Sequence, residues 1–262
     1  MNRKIFISDL FLSWSIPGLA LIFWYIATLS QNNTSLFPQP AEVAEAIGRL
    51  TKDGTLAKNI EISTLRATVG FVIGGLIGFG LGVINGQIPW AEKILNTPIQ
   101  MIRNVPHLAM LPLILIWFGI GEVAKIVLIS LGTFFPVYLN TFHGIRYVDE
   151  SLIEMGKTYG LTRPALFKDI IFPGSLPSIM IGIRQSLGRM WLTLIVAETV
   201  AAKSGIGFMA TNAREFMLMD VIVLSLLIYA LLGSLSDLAA GLVERKVLRW
   251  HANYRKKNGS IT

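Results

Sequence analysis

The chain of 262 residues contains no cysteine, so it can form neither a disulfide framework nor a thiolate metal site. Its three histidines, His107, His143 and His251, are far apart and no HExxH motif is present, which argues against a metalloenzyme. A glycine-rich phosphate loop of the form GxxxxGK[ST] is also missing, so the sequence offers no site where the chain itself would hydrolyse ATP. We therefore expect a protein that is not an enzyme and has no catalytic residues, cofactor or metal of its own.

Charge is scarce as well. Only 15% of the residues are charged and 53% are hydrophobic, with a mean hydropathy of +0.59, whereas about a quarter of the residues in soluble domains are charged. This composition predicts a membrane protein. The net charge of +7 does not indicate nucleic acid, because basic residues of membrane proteins collect in cytoplasmic loops. The expected surroundings are a lipid bilayer, with no nucleic-acid partner.

Six apolar runs have about the 20 residues that a bilayer-crossing helix needs. They lie near residues 11–29, 61–85, 98–118, 123–142, 177–200 and 219–243. The sequence thus predicts an all-α polytopic membrane protein with six transmembrane helices, forming a single transmembrane domain over residues 1–262. Most Lys and Arg residues, including those of a basic tail over about residues 244–262, fall in segments that are cytoplasmic if the N-terminus is. Both termini are therefore predicted to be cytoplasmic.

The second run carries a glycine at every fourth position. These glycines are Gly70, Gly74, Gly78, Gly82 and Gly86. Residues four apart share one face of a helix, so the repeat leaves a groove where another backbone can approach closely. We interpret it as a helix-packing face rather than a pore lining.

The segment from Pro40 to Lys58 precedes that run and has apolar residues spaced for one helical face. They are Val43, Ala46, Ile47 and Leu50, with charges between them. This pattern predicts a short amphipathic helix on the outer surface. Such a helix either packs at the membrane interface or docks another protein.

Polar residues form stripes on the third and fifth runs. The third has Gln100, Arg103, Asn104 and His107 at steps of three and four, and the fifth has Gln185, Arg189 and Thr193 at steps of four. Polar side chains in membrane helices usually face the bundle interior or a water-filled path, so these residues are candidates for a translocation path or gate. In the plainer alternatives Arg103 snorkels to the interface and His107 is a hydrogen-bonded packing residue.

Glu198 is a further candidate for the path or gate. It lies nine residues after Arg189, about half a helical turn out of phase. The two side chains therefore should not pair within one helix. We expect a partner for Glu198 on another span or another chain.

A polar stretch, "EMGKTYGLTRPALFKDIIFP", interrupts the apolar runs from Glu154 to Pro173. A helix can end at Gly160 with a left-handed residue, Thr162 can cap a second helix, and Pro164 suits its first turn. Pro173 and Pro177 are predicted to separate this unit from the fifth span. Physical reasoning alone leaves two interpretations: an ordinary structured loop, or an element that docks into another protein.

The spacing in this stretch resembles the E-A-A, G, I-x-L-P signature of permease subunits in ATP-binding cassette (ABC) importers. The matching positions are Glu154, Met155, Gly156, Gly160, Ile170, Phe172 and Pro173. Met155 and Gly156 stand where the signature has alanines, and Phe172 stands where it has leucine. Gly156 is expected to weaken the first short helix by about 1 kcal/mol relative to alanine.

The resemblance covers about residues 40–250 and is to the permeases for nitrate, taurine and alkanesulfonates, with the aliphatic sulfonate permeases as the most similar group. It implies a type I ABC importer permease fold in the bacterial inner membrane. It also implies that the loop over about residues 146–176 is a cytoplasmic coupling helix, with Tyr159 and Leu161 in apolar contact with the ATPase.

The partners implied by this resemblance are a second copy of the chain, two ATPase subunits that bind the ATP and magnesium, and an extracytoplasmic substrate-binding protein. Ser204 to Phe216 would lie outside, either contacting that binding protein or forming a re-entrant connection. The expected substrate is a small organic anion, an aliphatic sulfonate first, with taurine or nitrate as alternatives. A secondary transporter or a channel is the alternative of a different class, although the two halves of the chain do not match.

Overall fold

A computed structural model describes residues 15–16, 18–28 and 37–250. The described residues are mostly helical and contain no strand, as predicted for an all-α protein. The helices are α1 (Gly18–Thr28), α2 (Pro40–Lys52), α3 (Thr55–Gln87), α4 (Pro89–Asn104), α5 (Leu111–Phe118), α6 (Glu122–Arg146), α7 (Glu150–Thr158), α8 (Arg163–Leu166), α9 (Phe172–Ala201), α10 (Ile206–Glu215) and α11 (Met219–Val247). A 3₁₀ turn (His107–Met110) precedes α5, and a π turn (Phe167–Ile171) joins α8 to α9.

Four helical stretches of the described residues are long and apolar enough to cross a membrane. They are α3, α6, the stretch Arg163–Val200 that includes α9, and α11. The bent pair of α4 and the segment from His107 to Phe118 gives a fifth if it counts as one span. The predicted number of six is therefore not matched within the part of the chain that the structure describes. The predicted first span is described as α1, while its other positions 11–14, 17 and 29, together with the tail beyond Trp250, lie outside the described residues.

Helix α6 forms the centre of the bundle, with α3 packed along one side and α9 along another. In α6, 56% of the apolar window is buried, against 28% in each of the other three spans. Leu128, Ile129 and Tyr138 of α6 are completely buried. The outer helices thus direct most of their apolar surface away from the protein, as helices in contact with lipid do.

The glycine repeat of α3 faces α6 and sets the spacing of the two helices. A Cβ atom built on Gly78 would lie 2.6 Å from the carbonyl oxygen of Phe134, and one built on Gly82 would lie 2.9 Å from that of Tyr138. Gly70, Gly74 and Gly86 meet α6 equally closely. The Ser130 hydroxyl of α6 donates a hydrogen bond across the contact to the Gly70 carbonyl at 3.1 Å. Close backbone approach is therefore what these glycines permit.

The amphipathic helix is shorter than the predicted Pro40–Lys58 segment. It ends at Lys52, and Gly54, with φ of 72°, turns the chain into α3, which already contains Lys58. Only glycine adopts that left-handed conformation without strain. Val43 and Ala46 are buried in the main hydrophobic cluster together with residues of α9, α10 and α11. The helix therefore packs on the bundle through its apolar face.

The predicted third span, residues 98–118, is not one straight helix. Helix α4 ends at Asn104, and the following helical segment runs at 84° to it. Val105 is extended, with φ of −77° and ψ of 123°, because the ring of Pro106 disfavours helical geometry in the residue before it. The break separates the polar residues of α4 from His107.

The predicted separation at Pro173 and Pro177 is wrong, because the helical path continues without interruption from Arg163 to Val200. In the π turn the N–H of Phe172 donates to the carbonyl of Phe167. This wider turn brings Pro173 into the first turn of α9, where the missing N–H of proline costs little. Helix α8, the π turn and the fifth span consequently form a single rod, and α7 precedes it.

We predict that Gly78→Ala destabilises the protein by about 1–3 kcal/mol, because the new methyl group overpacks the backbone of α6. Gly80→Ala is the matched control, since a Cβ there has no neighbour within 4 Å. The control should be neutral or stabilising by up to about 1 kcal/mol from helix propensity. Thermal unfolding of the purified variants measures both effects, and equal melting temperatures would contradict the close-contact interpretation.

Candidate functional site

The loop unit consists of α7, α8 and the turn between them. Asp149 caps α7 by accepting hydrogen bonds from the Ser151 N–H at 2.9 Å and the Ser151 hydroxyl at 2.7 Å. These two hydrogen bonds lower the pKa of the Asp149 carboxyl. Gly160 follows the helix with φ of 78°, and the Leu161 N–H bonds back to the Gly156 carbonyl at 3.0 Å. Such a left-handed end closes the helix C-terminus.

Gly156 is the packing centre of this unit. A Cβ there would lie 2.6 Å from the tip of Ile170 and 2.7 Å from the tip of Leu166. Helix α7 continues through Gly156 to Thr158, because this contact compensates for the low helix propensity of glycine. Leu161 is half-buried beside Gly156, so it packs within the loop unit more than it faces outward.

The other predicted coupling residues divide into two groups. Glu154 and Met155 are exposed on α7, and Tyr159, which directly follows the helix, is 82% exposed. Phe172 and Pro173 lie where the π turn passes into α9. The ring of Phe172 packs on that of Phe167, with the two ring centroids 6.0 Å apart. The unit therefore presents α7 to the surroundings while its base is continuous with a membrane span.

The predicted polar stripe on α4 is divided by the break in the chain. The Gln100 amide donates to Asn96 at 3.3 Å, and Arg103 and Asn104 are exposed at the last turn of α4. His107 lies on the separate 3₁₀ turn. These four residues consequently do not share one continuous helical face.

His107 instead meets the stripe of α9. Its Nε2 atom lies 3.1 Å from the hydroxyl oxygen of Thr193, which is completely buried. Gly132 of α6 leaves the space for this contact, because a Cβ there would lie 2.6 Å from the Thr193 hydroxyl. One turn of α9 from Thr193 is the exposed Arg189, and one turn further Gln185 accepts a hydrogen bond from the Asn140 amide at 3.4 Å.

The partner expected for Glu198 is Arg66 of α3. The Arg66 guanidinium donates to the Glu198 carboxylate at 2.7 Å, and the two side chains are 4% and 0% exposed. Glu198 also accepts hydrogen bonds from the hydroxyls of Ser63 and Tyr229 at 2.8 and 3.0 Å, and from the Gly207 N–H at 2.9 Å. The buried carboxylate is thus fully hydrogen-bonded, as a buried charge requires.

Arg66 also binds a second carboxylate. Its Nε and Nη2 atoms donate to Glu122, the first residue of α6, at 2.6 and 2.7 Å, and Nη1 donates to the Ser204 carbonyl at 2.6 Å. We call Arg66, Glu122, Glu198 and their hydrogen-bond partners the buried ion network. The sequence analysis missed Arg66. An arginine within an apolar run needs either a partner or contact with a water-filled cavity, and that signal could have linked it to Glu198.

The network and the loop unit lie at opposite ends of the bundle. Glu198 is near the end of α9 and the loop unit precedes its start. Between α3, α4 and α6 an apolar groove of about 620 Å³ has walls of Ile, Leu, Val and Phe side chains, which do not suit an anion. No group of His, Cys, Asp and Glu among the described residues could hold a metal ion.

This arrangement of an exposed helical loop on a continuous span, within a packed helical membrane bundle, defines the permease class of transporter subunits. The fold is that of an amino acid ABC transporter chain of known structure, which superposes with a TM-score of 0.64 at 18% identity and covers 76% of this chain and 97% of that chain. Residues 67–249 match the family of binding-protein-dependent transport system inner membrane components, and the chain belongs to that family.

Two curated relatives show the same class along nearly the whole chain. The aliphatic sulfonates transport permease protein SsuC of Escherichia coli (strain K12) is 49% identical over 249 residues, which are 95% of this chain and 95% of that protein. The taurine transport system permease protein TauC of the same strain is 34% identical and covers 90% of this chain and 88% of that protein. This chain is accordingly an ABC transporter permease subunit. It is not itself an enzyme, and it works with ATPase and substrate-binding partners.

We predict that Glu198→Ala costs about 3–5 kcal/mol of stability, because it leaves the Arg66 charge buried with one carboxylate fewer. Asp220→Ala is the matched control. It removes the Arg49–Asp220 pair at 2.9 Å, in which the Arg49 side chain is 55% exposed, and should cost at most about 1 kcal/mol. Thermal unfolding and assembly yield test the difference, and similar losses in the two variants would contradict a dominant role for the buried pair.

Proposed function

We propose that this chain is the membrane permease of an ATP-driven importer that moves aliphatic sulfonates into the cell by alternating access. The 49% identity to a sulfonate permease across 95% of both chains supports this substrate class. Taurine, itself a sulfonate, is the nearest alternative in view of the 34% identical relative, and nitrate or another small anion follows. A single observation carries the transport mechanism: α7 is exposed at the end of an unbroken helical rod.

The exposed face of α7 is suited to a partner protein. Leu152, Met155 and Tyr159 follow at steps of three and four, and they are 44%, 47% and 82% exposed. Their spacing places them on one side of the helix. Contiguous apolar surface outside the membrane marks a protein interaction site, and an apolar helix face characteristically binds a groove. We assign this face, with Glu154, to the cleft of the partner ATPase.

The rod carries motion from that contact into the membrane. Gly156, Leu166 and Ile170 hold α7 against the start of the rod, and the helical path then reaches Val200 without a break. Displacement of α7 by closing ATPase subunits would therefore displace α9. Helix α9 bears Gln185, Arg189 and Thr193, so ATP binding would act directly on the polar stripe.

The proposed assembly is a homodimer of this chain with two ATPase subunits, which bind the ATP and Mg²⁺, and one extracytoplasmic binding protein. The permease itself then needs no cofactor. Basic side chains at the loop end support a cytoplasmic position for the loop unit by the positive-inside rule. They include Arg146, Lys157, Arg163 and Lys168.

The same reasoning supports cytoplasmic termini. Helix α11 runs antiparallel to α9, because Arg184 binds Glu244 near the end of α11 at 3.0 Å, whereas Glu198, later in α9, binds Tyr229, earlier in α11, at 3.0 Å. The C-terminal end of α11 therefore lies at the cytoplasmic side. With α1 and the bent pair counted as spans, the chain crosses the membrane six times. An even number of crossings puts the N-terminus on the same side as the C-terminus.

We predict that an alkanesulfonate with its binding protein stimulates ATP hydrolysis by the complete transporter in lipid vesicles more than nitrate does. Tyr159→Ala and Glu154→Ala should reduce this stimulation, the former by about tenfold or more if Tyr159 is an aromatic anchor. Tyr25→Ala is the matched control, since Tyr25 is a 53% exposed tyrosine on α1, outside the loop unit.

Each part of the proposal has its own contradicting result. Full stimulation in Tyr159→Ala and Glu154→Ala would remove the coupling assignment and leave the substrate untouched. Stimulation by nitrate alone, or by taurine alone, would change the assigned substrate to that anion and leave the coupling assignment intact. If no anion stimulates ATP hydrolysis and anions cross the membrane passively, the result would indicate a channel.

A further inference from the structure

Arg189 lies near the middle of the membrane span. Thr193, one turn away, contacts Gly132, which is ten residues into α6 and so about 15 Å from the first residue of that helix, whose length is about 37 Å. On the other side, Gly182 of α9 packs against Pro136 and Asn140 of α6. Along α9, Arg189 lies between these two contacts, so it is level with the centre of α6.

Arg189 has no carboxylate partner among the described residues, unlike Arg66 and Arg184. Arg66 binds Glu122 and Glu198, and Arg184 binds Asp237 and Glu244. An unpaired ionised group in the middle of a bilayer is costly, and such residues face the bundle interior or a water-filled cavity. The exposed side chain of Arg189 therefore points to a polar space, not to lipid.

The polar side chains one turn from Arg189 on α9, and their hydrogen-bond partners, include no carboxylate. His107 meets the hydroxyl of Thr193, one turn of α9 from Arg189, at 3.1 Å. On the other side are Gln185 and Asn140. The carboxylates of α11 that bind Arg184 lie elsewhere: Arg184 and Trp191, which contacts Ser236 of α11, are seven residues apart on a face of α9 that Arg189 does not share.

A guanidinium beside a hydroxyl, an imidazole and amides, with no competing carboxylate, matches an oxyanion. We propose that Arg189, with His107 and Thr193 beside it, contacts the sulfonate group of the substrate halfway along the path. This inference rests on the proposed function and adds the residue that recognises the anion within the membrane. The guanidinium offers several N–H donors in one plane to the sulfonate oxygens. A single cation exposed to water binds weakly enough to release the substrate.

The absence of cysteine permits a direct test in which Arg189 is retained. In the complete transporter in lipid vesicles, Gln185→Cys introduces the only thiol of the permease, one turn from Arg189. The thiol is treated with 2-sulfonatoethyl methanethiosulfonate, which carries a sulfonate, and with its trimethylammonium analogue. The rate at which each reagent modifies the Gln185→Cys thiol is divided by its rate with a small thiol in solution. This normalisation removes the difference in intrinsic reactivity between the two reagents.

We expect the normalised rate of the sulfonate reagent to exceed that of the cationic reagent by at least about tenfold, because a charge in a narrow path concentrates counter-ions. Adding Arg189→Gln should abolish this preference. Leu238→Cys is the control, since Leu238 lies at the level of Arg189 in an exposed stripe of leucines on α11, and it should react slowly with both reagents. Equal normalised rates at Gln185→Cys, or a preference that survives Arg189→Gln, would overturn the proposal.

Transport supplies the second measurement. With ethanesulfonate and its binding protein, Arg189→Gln should lower uptake by at least about tenfold, as expected for a lost charged contact. Arg189→Lys keeps the charge but loses the planar donors, so it should lower uptake less than Arg189→Gln does. Wild-type uptake in both variants would overturn the proposal and leave the proposed function standing. If the unmodified transporter takes up no sulfonate, the proposed function fails, and the reagent preference at Gln185→Cys still decides whether the anion contact exists.

Discussion

The ion pair between Arg66 and Glu198 is the interaction on which the packing of the far end of the bundle depends. Removing both charges from water is expensive, and their attraction offsets that cost only when every remaining donor and acceptor is satisfied. Ser63, Tyr229 and Gly207 supply those hydrogen bonds to Glu198. The requirement for complete pairing thus brings α3, α9, α10 and α11 to one point, and Glu122 adds the start of α6. A buried network of this kind specifies a unique arrangement when it is fully satisfied.

Helix α9 connects this network to the loop unit. The helical path from Arg163 to Val200 has 38 residues, about 57 Å at the rise of an α-helix. Glu198 is fixed near one end, and α7 is attached at the other. A stiff rod that is held at one end and displaced at the other turns about the held end. A movement of α7 would consequently be largest near Pro173 and smaller at Thr193, so the position of Arg189 along the rod determines how far it is carried.

Much of this architecture could be predicted from local rules. The apolar runs located the four long spans, the glycine repeat of α3 indicated a close contact, and Gly160 was identified as a left-handed residue, which its φ of 78° confirms. The continuity through Pro173 could not be predicted, because proline rules consider a regular helix and the π turn shifts the hydrogen bonds by one residue. Arg66 was missed for another reason: its importance depends on Glu198, which is 132 positions away in sequence.

Rigidity is distributed unevenly among the helices. Helices α3, α6 and α9 meet at glycines, where backbones touch and little sliding is possible: Gly78 approaches the Phe134 carbonyl, and Gly182 the Pro136 carbonyl. The bent pair is joined to α6 and α9 more loosely, by apolar side chains and the hydrogen bond between His107 and Thr193. An apolar groove separates part of α4 from α3 and α6. If alternating access moves groups of helices as rigid bodies, they separate most readily where the bent pair meets α6 and α9, beside His107. The polar stripe of α9 lies along this contact.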